Sequence, residues 1–319
     1  MKLVITILLS SLISVCLFPQ SKTGSAIDDL NFYKELNNRE VRLLEYKDND
    51  ESLKIKLLQL DVINRSRKKY RVPLVKLDIL ASRVANKMCR EAAENNYVSH
   101  WNLAGEKPYH RYAFAGGYDH VAENAYGEWT TGSIDNSLSG ISKMMEFGHG
   151  TFMAERAPKD GHKRTVINKP HNYVGIGFFA TDKQFRYYEE FIDRYFGFEN
   201  IPSVLRVNEQ GTITVKTDGS AFLYFLVIYR EKFPVPLTVA QLKKTGSYED
   251  YSKEEYMKQG SWELAKRKDG NSYNIPLKFS KEGLYYIHIY LDKKEIAKPT
   301  ALNTKGKIQG SGIVIRVEK

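Results

Sequence analysis

The chain has 319 residues, of which 42% are hydrophobic and 27% are charged. These proportions are ordinary for globular protein and exclude a chain dominated by disorder, while the length suits two domains better than one. The formal net charge is +10, and residues 201–319 hold 20 Lys and Arg against 13 Asp and Glu. No dense basic run with interleaved aromatic residues occurs, so we expect no nucleic-acid binding, although the basic C-terminal half could contact an anionic surface.

The N-terminus predicts export. Met1-Lys2 precedes an apolar run from Leu3 to Phe18, which is the basic and then hydrophobic pattern of a signal peptide. The run is shorter than the roughly 20 apolar residues that span a bilayer, so cleavage is favoured over an anchor. We assign residues 1–21 to the signal peptide and expect a secreted, cell-envelope or periplasmic protein without a transmembrane segment. A lipoprotein signal at Cys16 is less favoured because Val15 precedes it.

Loss of the signal peptide leaves Cys89 as the single cysteine, so no internal disulfide is possible. Cys89 lies in an apolar helical stretch, which favours a small buried hydrophobic side chain over a reactive thiol. Residues 22–52 are polar and charged with weak helical periodicity, and we interpret them as a leader or linker segment.

The next 150 residues mix helices and strands. Apolar periodicity predicts a helix over 53–70, and Asp78 is expected to cap a second helix. Gly, Pro and aromatic residues after Val98 indicate a shaped loop through residue 125. A third helix is predicted over about 136–156, and strands are predicted over 173–179 and 187–196.

From about residue 200 the helical signal nearly vanishes, and six short alternating or apolar runs follow. They predict an antiparallel β-sandwich over 201–319, separate from the preceding domain over 53–198. The segment 238–260 is polar and rich in Lys and Tyr, and it is expected to be a long loop or short helix. The six predicted strands are 212–217, 222–229, 262–266, 273–279, 284–291 and 313–317.

Four ordered motifs occur within residues 57–197. They are Asp61 to Arg67 with Pro73-Leu74; Ser99-His100 through Gly105, Pro108, Arg111 and Gly116-Gly117-Tyr118 to Ala122-Glu123-Asn124; Gly161-His162-Lys163-Arg164 with Val166 to Pro170 and Val174 to Gly177; and Tyr187 to Gly197. Together they resemble the CAP superfamily, the SCP-like group of cysteine-rich secretory, antigen 5 and pathogenesis-related 1 proteins, in its disulfide-free bacterial form. The resemblance covers about residues 53–198 and implies an α-β-α sandwich, so the predicted fold class is α+β.

In many members of that superfamily, two histidines and two acidic residues converge in a central cleft and can bind a divalent cation. The matching positions are His100, Glu123 and His162, with Glu155 as the second acid; Glu146 is the alternative but would face the other side of its helix. Two imidazoles and two carboxylates suit zinc, and carboxylates also accept harder ions. The same four residues could instead hydrogen-bond to one another without metal.

Other polar residues have less specific interpretations. Asn64 and Asn124 are read as structural, and Arg111 as a clamp on the 100–125 loop rather than an anion ligand. The remaining histidines of the first domain are expected to lie in surface loops: His110, His120, His149 and His171. For His120, three residues before Glu123, the alternative is a fifth member of the cluster.

The resemblance implies a binding protein without one shared reaction, whose ligand is a small hydrophobic molecule such as a lipid, a polysaccharide or a protein. Ser99 beside His100 suggests a nucleophile, but adjacent residues point in different directions and no Gly-x-Ser-x-Gly turn is present. The alternative is a metal-dependent hydrolase in which Glu123 or Glu155 is the general base.

Overall fold

The structure is a computed structural model that describes residues 25–249 and 251–319. The predicted signal peptide and Cys16 lie outside the described residues. Within them, no helix is both long and apolar enough to cross a membrane. The helices are α1 Leu30–Arg39, α2 Asp50–Lys69, α3 Ile79–Glu94, α4 Pro108–Phe114, α5 Leu138–Ala154, α6 Gly161–Val166, α7 Val239–Leu242 and α8 Ser261–Leu264.

The strands of the first domain form one four-stranded sheet and those of the second domain form two further sheets. The strands are β1 Lys76–Leu77, β2 His120–Trp129, β3 Tyr173–Ala180, β4 Gln184–Asp193, β5 Gly197–Glu199, β6 Val204–Arg206, β7 Gln210–Lys216, β8 Phe222–Glu231, β9 Glu254–Gly260, β10 Lys268–Asp269, β11 Ser272–Lys278, β12 Gly283–Asp292, β13 Ile308–Gln309 and β14 Ile313–Glu318.

The first domain is a three-layer α-β-α sandwich, as predicted. Its sheet has the order β1-β3-β4-β2, with β1 parallel to β3 and the other pairs antiparallel. Helix α3 packs closely on one face because β3 has glycines there: a Cβ on Gly175 would lie 2.4 Å from the Ala81 Cβ. Helices α2 and α5 share a core with the opposite face.

The helix starts follow local capping chemistry, which is why the sequence locates them well. The Asp78 carboxylate accepts a hydrogen bond from the Ala81 amide at 2.7 Å, so the predicted cap of α3 is confirmed. Asn49 caps α2 and Ser137 caps α5 in the same way. The predicted helices at 53–70 and 136–156 therefore differ from the observed ones by only a few residues.

The segment predicted as a leader or linker is more ordered than its sequence indicates. Its helix α1 buries Tyr33 and Asn37 against the first domain. The guanidinium of Arg83 on α3 donates to the backbone carbonyls of Asn37, Glu40 and Arg42. These anchors are hydrogen bonds to backbone carbonyls and do not require apolar side chains in the segment. The sequence therefore shows little apolar periodicity there.

The second domain is the predicted β-sandwich. One sheet has the order β10-β11-β7-β5 and the other β6-β14-β12-β8-β9, with β13 added to β12. Their inner faces share one hydrophobic core, and all strand pairs are antiparallel except β6 with β14. Because β5 already pairs with β7, the chain passes between the domains at residues 194–196. The division into separate folding units at residue 200 stays a prediction.

Several predictions of local structure were wrong. In the segment 238–260, expected to be a long loop or short helix, Glu254–Gly260 form β9 and pair with β8, and the predicted loop after Val98 contains helix α4. Residues 262–266, predicted as a strand, form α8 and a following 3-10 turn, because the Glu263 carboxylate accepts the Gly260 amide at 3.0 Å and starts a helical turn. The stretch around Glu123, predicted as loop, is strand β2. It lies at the sheet edge and pairs with β4 along its whole length, and this pairing between distant segments has no local signal.

The two domains touch over α4. Tyr109 of α4 stacks on Tyr286 of β12 with ring centroids 4.2 Å apart. Glu231, at the end of β8, accepts hydrogen bonds from the Tyr109 hydroxyl at 2.6 Å and the Lys107 ammonium at 3.0 Å. Residues 232–249, which follow β8, leave the second domain and cross the loop that carries His100; we call this segment the strap.

Candidate functional site

The four residues predicted to form one cluster are observed as two histidine–glutamate pairs. His100 Nδ1 lies 2.7 Å from Glu123 Oε1, and His162 Nδ1 is hydrogen-bonded to Glu155 Oε1. His100 lies in the loop before α4 and Glu123 on β2, whereas Glu155 ends α5 and His162 lies in the first turn of α6. The structure therefore joins each histidine to one of the two predicted acids.

Strand alternation separates the surroundings of the two pairs. Successive side chains of β2 point to opposite faces, so Glu123 and Asn124 diverge. Glu123 faces the α3 side, whereas the Asn124 amide donates to the His162 carbonyl at 3.1 Å. Among the described residues, no group of three or more His, Cys, Asp or Glu side chains could hold a metal ion. Convergence of all four residues on one cation stays a prediction.

Arg111 completes the first pair. Its guanidinium is buried and donates to the Glu123 carboxylate, to the His100 carbonyl at 2.7 Å and to the Glu106 carbonyl at 3.2 Å. The contacts with the two carbonyls are the loop clamp that the sequence indicates. Both oxygens of Glu123 are thus engaged, one by Arg111 and one by His100.

A second buried carboxyl group, Glu190 of β4, lies directly opposite Glu123. Burial, and then the negative charge of Glu123, raise the pKa of Glu190 well above its usual range. Burial also raises the pKa of Glu123, but the Arg111 charge opposes that effect. We therefore assign the charge to Glu123 and the proton to Glu190.

His100 is a neutral imidazole at neutral pH. Burial, and then the positive charge of Arg111, lower its pKa to about 4. Since an ionised Glu123 can only accept, Nδ1 of His100 carries the hydrogen and Nε2 keeps its lone pair. Nε2 is then the ring atom that can take a proton or coordinate a cation.

The hydrogen bonds within the two pairs determine which ligand atoms are available to zinc. The Glu155 carboxylate is engaged by the His162 ring and by the amides of His162 and Lys163 at 2.9 Å and 3.3 Å. As Glu123 is engaged too, the ring atom that each pair leaves for a cation is the histidine Nε2. The glutamates would orient these rings, as second ligand shells do in histidine–zinc sites.

The nucleophile candidates are engaged or buried. The Ser99 hydroxyl is hydrogen-bonded to the Thr245 hydroxyl at 2.6 Å and accepts the Trp101 amide at 3.0 Å. Cys89 is fully buried, as predicted, and burial raises the pKa of its thiol well above the usual range. Neither side chain has the exposed, base-activated setting that nucleophilic catalysis requires.

Tyr248 of the strap covers the His100 pair. Its hydroxyl accepts the Glu123 amide at 3.2 Å, and its ring lies edge-on to His100 with centroids 5.0 Å apart. Sequence reasoning missed this residue, because a polar Lys- and Tyr-rich segment carries no signal for a contact 125 residues away.

The prediction that the other histidines lie in surface loops was wrong, since His110, His120, His149 and His171 are all buried. His149 is bonded to Glu189 at 2.7 Å, and His120 and His171 share Asp193 at 2.9 Å and 2.6 Å. A sequence signal did exist: strand β4 is apolar and aromatic except for a few charged residues, and buried carboxylates there need partners.

The structure also distinguishes Glu146 from Glu155 and shows what Asn64 contacts. Glu146 is exposed on α5 and pairs with Arg65 at 3.5 Å, whereas Glu155 lies beside His162. Asn64 exchanges two hydrogen bonds with the backbone of Val75, at 2.9 Å and 3.0 Å, which is the structural role expected of it.

A separate groove of about 1280 Å³ runs between α1, α2, β1 and the start of α3 toward the domain junction. Arg194 lines it and is held by Asp78 at 2.7 Å and by Asp119 at 2.9 Å. The large apolar side chains along the groove include Phe32, Leu36, Val41, Leu74, Phe196 and Phe198.

No family model matches the chain, and no curated protein matches it. Several solved structures do match part of the chain. An extracellular protein containing an SCP domain from Bacillus anthracis shares 20% identity at a TM-score of 0.33, over 43% of this chain and 39% of that one. A cysteine-rich secretory protein from Staphylococcus aureus shares 16% identity at a TM-score of 0.27, over 43% and 38%.

An outer surface protein from Borrelia burgdorferi shares 18% identity at a TM-score of 0.34, over 44% of this chain and 92% of that one. The chain thus spans well under half of the Bacillus and Staphylococcus proteins. Two of these neighbours are described as containing an SCP domain and as a cysteine-rich secretory protein.

Proposed function

We propose that the protein is an exported CAP-type binding protein that takes an elongated hydrophobic ligand in the groove between α1, α2 and β1. The observation that carries the proposal is the groove itself, with a volume of about 1280 Å³. Sites for small molecules usually enclose about 300–1,000 Å³, so the groove has room for a lipid-sized ligand.

The groove lining supports an amphiphile. Phe32, Val41 and Leu74 are 43%, 74% and 55% exposed, and a contiguous exposed apolar surface of this kind marks binding sites. Arg194 and Arg42 supply charged groups along the same groove. An apolar chain would pack on the hydrophobic side chains, while its polar end hydrogen-bonds to a guanidinium.

The nucleophile candidates favour binding over turnover. Ser99 is bonded to the strap and Cys89 is buried with a raised thiol pKa. His100, the neutral imidazole, lies beneath Tyr248. These contacts support a binding role for the first domain.

A fatty-acid titration tests the proposal. We expect oleate to bind the full mature chain, and Phe32→Asp to weaken binding by about tenfold or more, because a charge would enter the apolar wall. Phe147→Asp is the matched control, since Phe147 is 63% exposed on α5 outside the groove. Absence of oleate binding to the unaltered chain, or equal weakening in both variants, would reject the groove as the site.

Export is part of the proposal, and neighbours described as extracellular or as outer surface proteins support it. Mass spectrometry of the protein from its native host should find a mature N-terminus between residues 17 and 26. An intact Met1 in the cytosol would contradict export. The excess of Lys and Arg in residues 201–319 supports contact of the second domain with an anionic surface.

Zinc binding at His100, Glu123, Glu155 and His162 is a second proposal, favoured by the two glutamate-oriented imidazoles. We expect zinc to raise the melting temperature, the double variant His100→Asn with His162→Asn to lose that rise, and His149→Ala to keep it. Zinc-dependent hydrolysis of an ester or peptide library that disappears in Glu123→Gln would support the metal-dependent hydrolase instead.

A further inference from the structure

The strap is a segment of the second domain that lies on the first domain. Its residues, 232–249, follow β8 in the connection toward β9, and the one regular element among them is the four-residue helix α7. The strap follows the loop of residues 99–107 in the first domain, while Phe233 at its start still packs on the second domain, with its ring centroid 4.7 Å from the Arg316 guanidinium. The Leu237 amide donates to the Leu103 carbonyl at 2.8 Å, which fixes the strap at the start of its path.

Two further anchors follow along the strap. Leu242 is fully buried in a hydrophobic cluster with Cys89, Tyr97 and Tyr188 of the first domain. Thr245 is hydrogen-bonded through its hydroxyl to Ser99 at 2.6 Å. Between and beyond these anchors the strap is exposed at Lys243, Lys244, Gly246, Ser247 and Glu249.

Tyr248 is the last anchor and enters the cleft over the His100 pair. Strand β2 is an edge strand, and the hydroxyl of Tyr248 accepts the Glu123 amide at 3.2 Å. The phenol ring lies edge-on between two aromatic groups, 5.0 Å from His100 and 6.4 Å from Trp101 by ring centroids. An amide of an edge strand is a ready donor for an added polypeptide.

The pattern of contacts is that of a bound peptide. The strap contacts the first domain through the Leu237 amide, the buried Leu242, the Thr245 hydroxyl and Tyr248, and Leu237 and Val239 pack at the edge of the Leu242 cluster. The other residues between Leu242 and Tyr248 are exposed. The strap lies between two strands that are paired with each other, β8 and β9. The strap can therefore leave the cleft without disrupting either sheet, and few contacts oppose its local opening.

We propose that the cleft over His100 and Glu123 is a binding site for a polypeptide segment that presents a leucine and, six residues later, a tyrosine, and that the strap occupies this site in cis. A partner polypeptide with this pattern would displace the strap. Because a tethered segment acts at an effective concentration in the millimolar range, the unaltered chain should bind such a partner weakly and a strap variant tightly. The proposal uses none of the groove residues, so it is independent of ligand binding there.

Chemical labelling of histidine tests the proposal. Diethyl pyrocarbonate acylates neutral imidazoles, and peptide mass spectrometry separates His100 from His162. The His162 side chain is 36% exposed against 15% for His100, so His162 serves as the internal control. We expect Tyr248→Ala to raise the labelling rate of His100 by about tenfold relative to His162, because local opening sets access.

A synthetic peptide of residues 236–249 supplies the second arm. Added to Tyr248→Ala, it should slow His100 labelling toward the rate of the unaltered chain. The same peptide with alanine at the positions of Leu242 and Tyr248 should not. Thr245→Val is a milder variant that keeps the tyrosine and should raise labelling by a smaller factor. Tyr251→Ala is the matched control, since Tyr251 is 51% exposed and follows the strap.

The outcomes are distinct. Faster labelling in both strap variants together with protection by the peptide supports the proposal. Labelling that stays unchanged in every folded strap variant would overturn it, because the strap would then not cover the cleft. Faster labelling without protection would overturn it as well, because Tyr248 would be a cover and the cleft no peptide site. Oleate binding should be the same in all these variants, whichever result is found.

Discussion

The two histidine–glutamate pairs have the same chemistry and opposite surroundings. In the His100 pair, the Glu123 side chain is completely buried and is held by Arg111 beneath the strap. In the His162 pair, the histidine and glutamate side chains are 36% and 23% exposed, and the amides of α6 supply the other contacts. The same hydrogen bond therefore belongs to a buried charge network in one place and to a solvated helix start in the other.

The surroundings of each pair, and not its residue types alone, set the pKa of its histidine and its contribution to stability. Burial and the Arg111 charge lower the pKa of His100 to about 4, so its ring stays neutral where an exposed histidine would begin to protonate. Charge pairs near solvent are screened and contribute little to the free energy of unfolding. Removing one partner of a buried pair lowers that free energy much more, because the other charge stays buried without a partner.

The largest effect is expected for Arg111→Met. Removing the guanidinium leaves two buried carboxyl groups without a cation, and we expect the free energy of unfolding to fall by about 3–5 kcal/mol. Lys163→Met, beside the exposed pair, should cost less than about 1 kcal/mol. Urea denaturation of both variants measures the difference, and equal losses would show that the two pairs are energetically alike.

The pH dependence of stability should show the buried histidine. Because folding lowers the pKa of His100 to about 4, its stabilising contribution is present above the unfolded pKa and is lost as pH falls toward 4. A shift from roughly 6.5 to 4 corresponds to about 3 kcal/mol. His100→Asn keeps a donor for Glu123 but cannot protonate, so its free energy of unfolding should fall less over this pH range. Parallel curves for the two proteins would contradict the lowered pKa.

A double-mutant cycle tests the coupling of the two carboxyl groups. Glu123→Gln removes the charge that raises the pKa of Glu190, so Glu190 should ionise and pair with Arg111, 3.7 Å away. The single variant should therefore lose little stability. Glu123→Gln with Glu190→Gln leaves Arg111 without either carboxylate, and we expect a coupling energy of about 1–3 kcal/mol. Additive losses would place the proton elsewhere.

The smallest effect is expected at the exposed pair. Glu155→Gln keeps the acceptor oxygen for the amides of His162 and Lys163, and the pair is partly solvated, so the loss should stay below about 1 kcal/mol. Thermal unfolding without added metal measures this loss. A cost as large as that of Arg111→Met would mean that Glu155 is as essential to the fold as the buried network.

Local patterns in the sequence predicted much of the fold. Caps such as Asp78 and apolar periodicity placed the main helices of the first domain within a few residues, because both signals arise from neighbours along the chain. Alternating runs placed five of the six expected strands of the second domain. The exception, 262–266, became helical through a cap at Gly260 that is too short to recognise by periodicity.

The sequence by itself determined which residue types would form the candidate site, since His100, Glu123 and His162 lie in the ordered motifs and Glu155 lies at the end of the predicted third helix. Only the tertiary structure decided how they pair. Strand alternation in β2 turns Glu123 and Asn124 to opposite faces, and the placement of Tyr248 over Glu123 joins positions 125 residues apart. Such contacts depend on strand register and domain packing, and both are set by the whole core and not by neighbours in the chain.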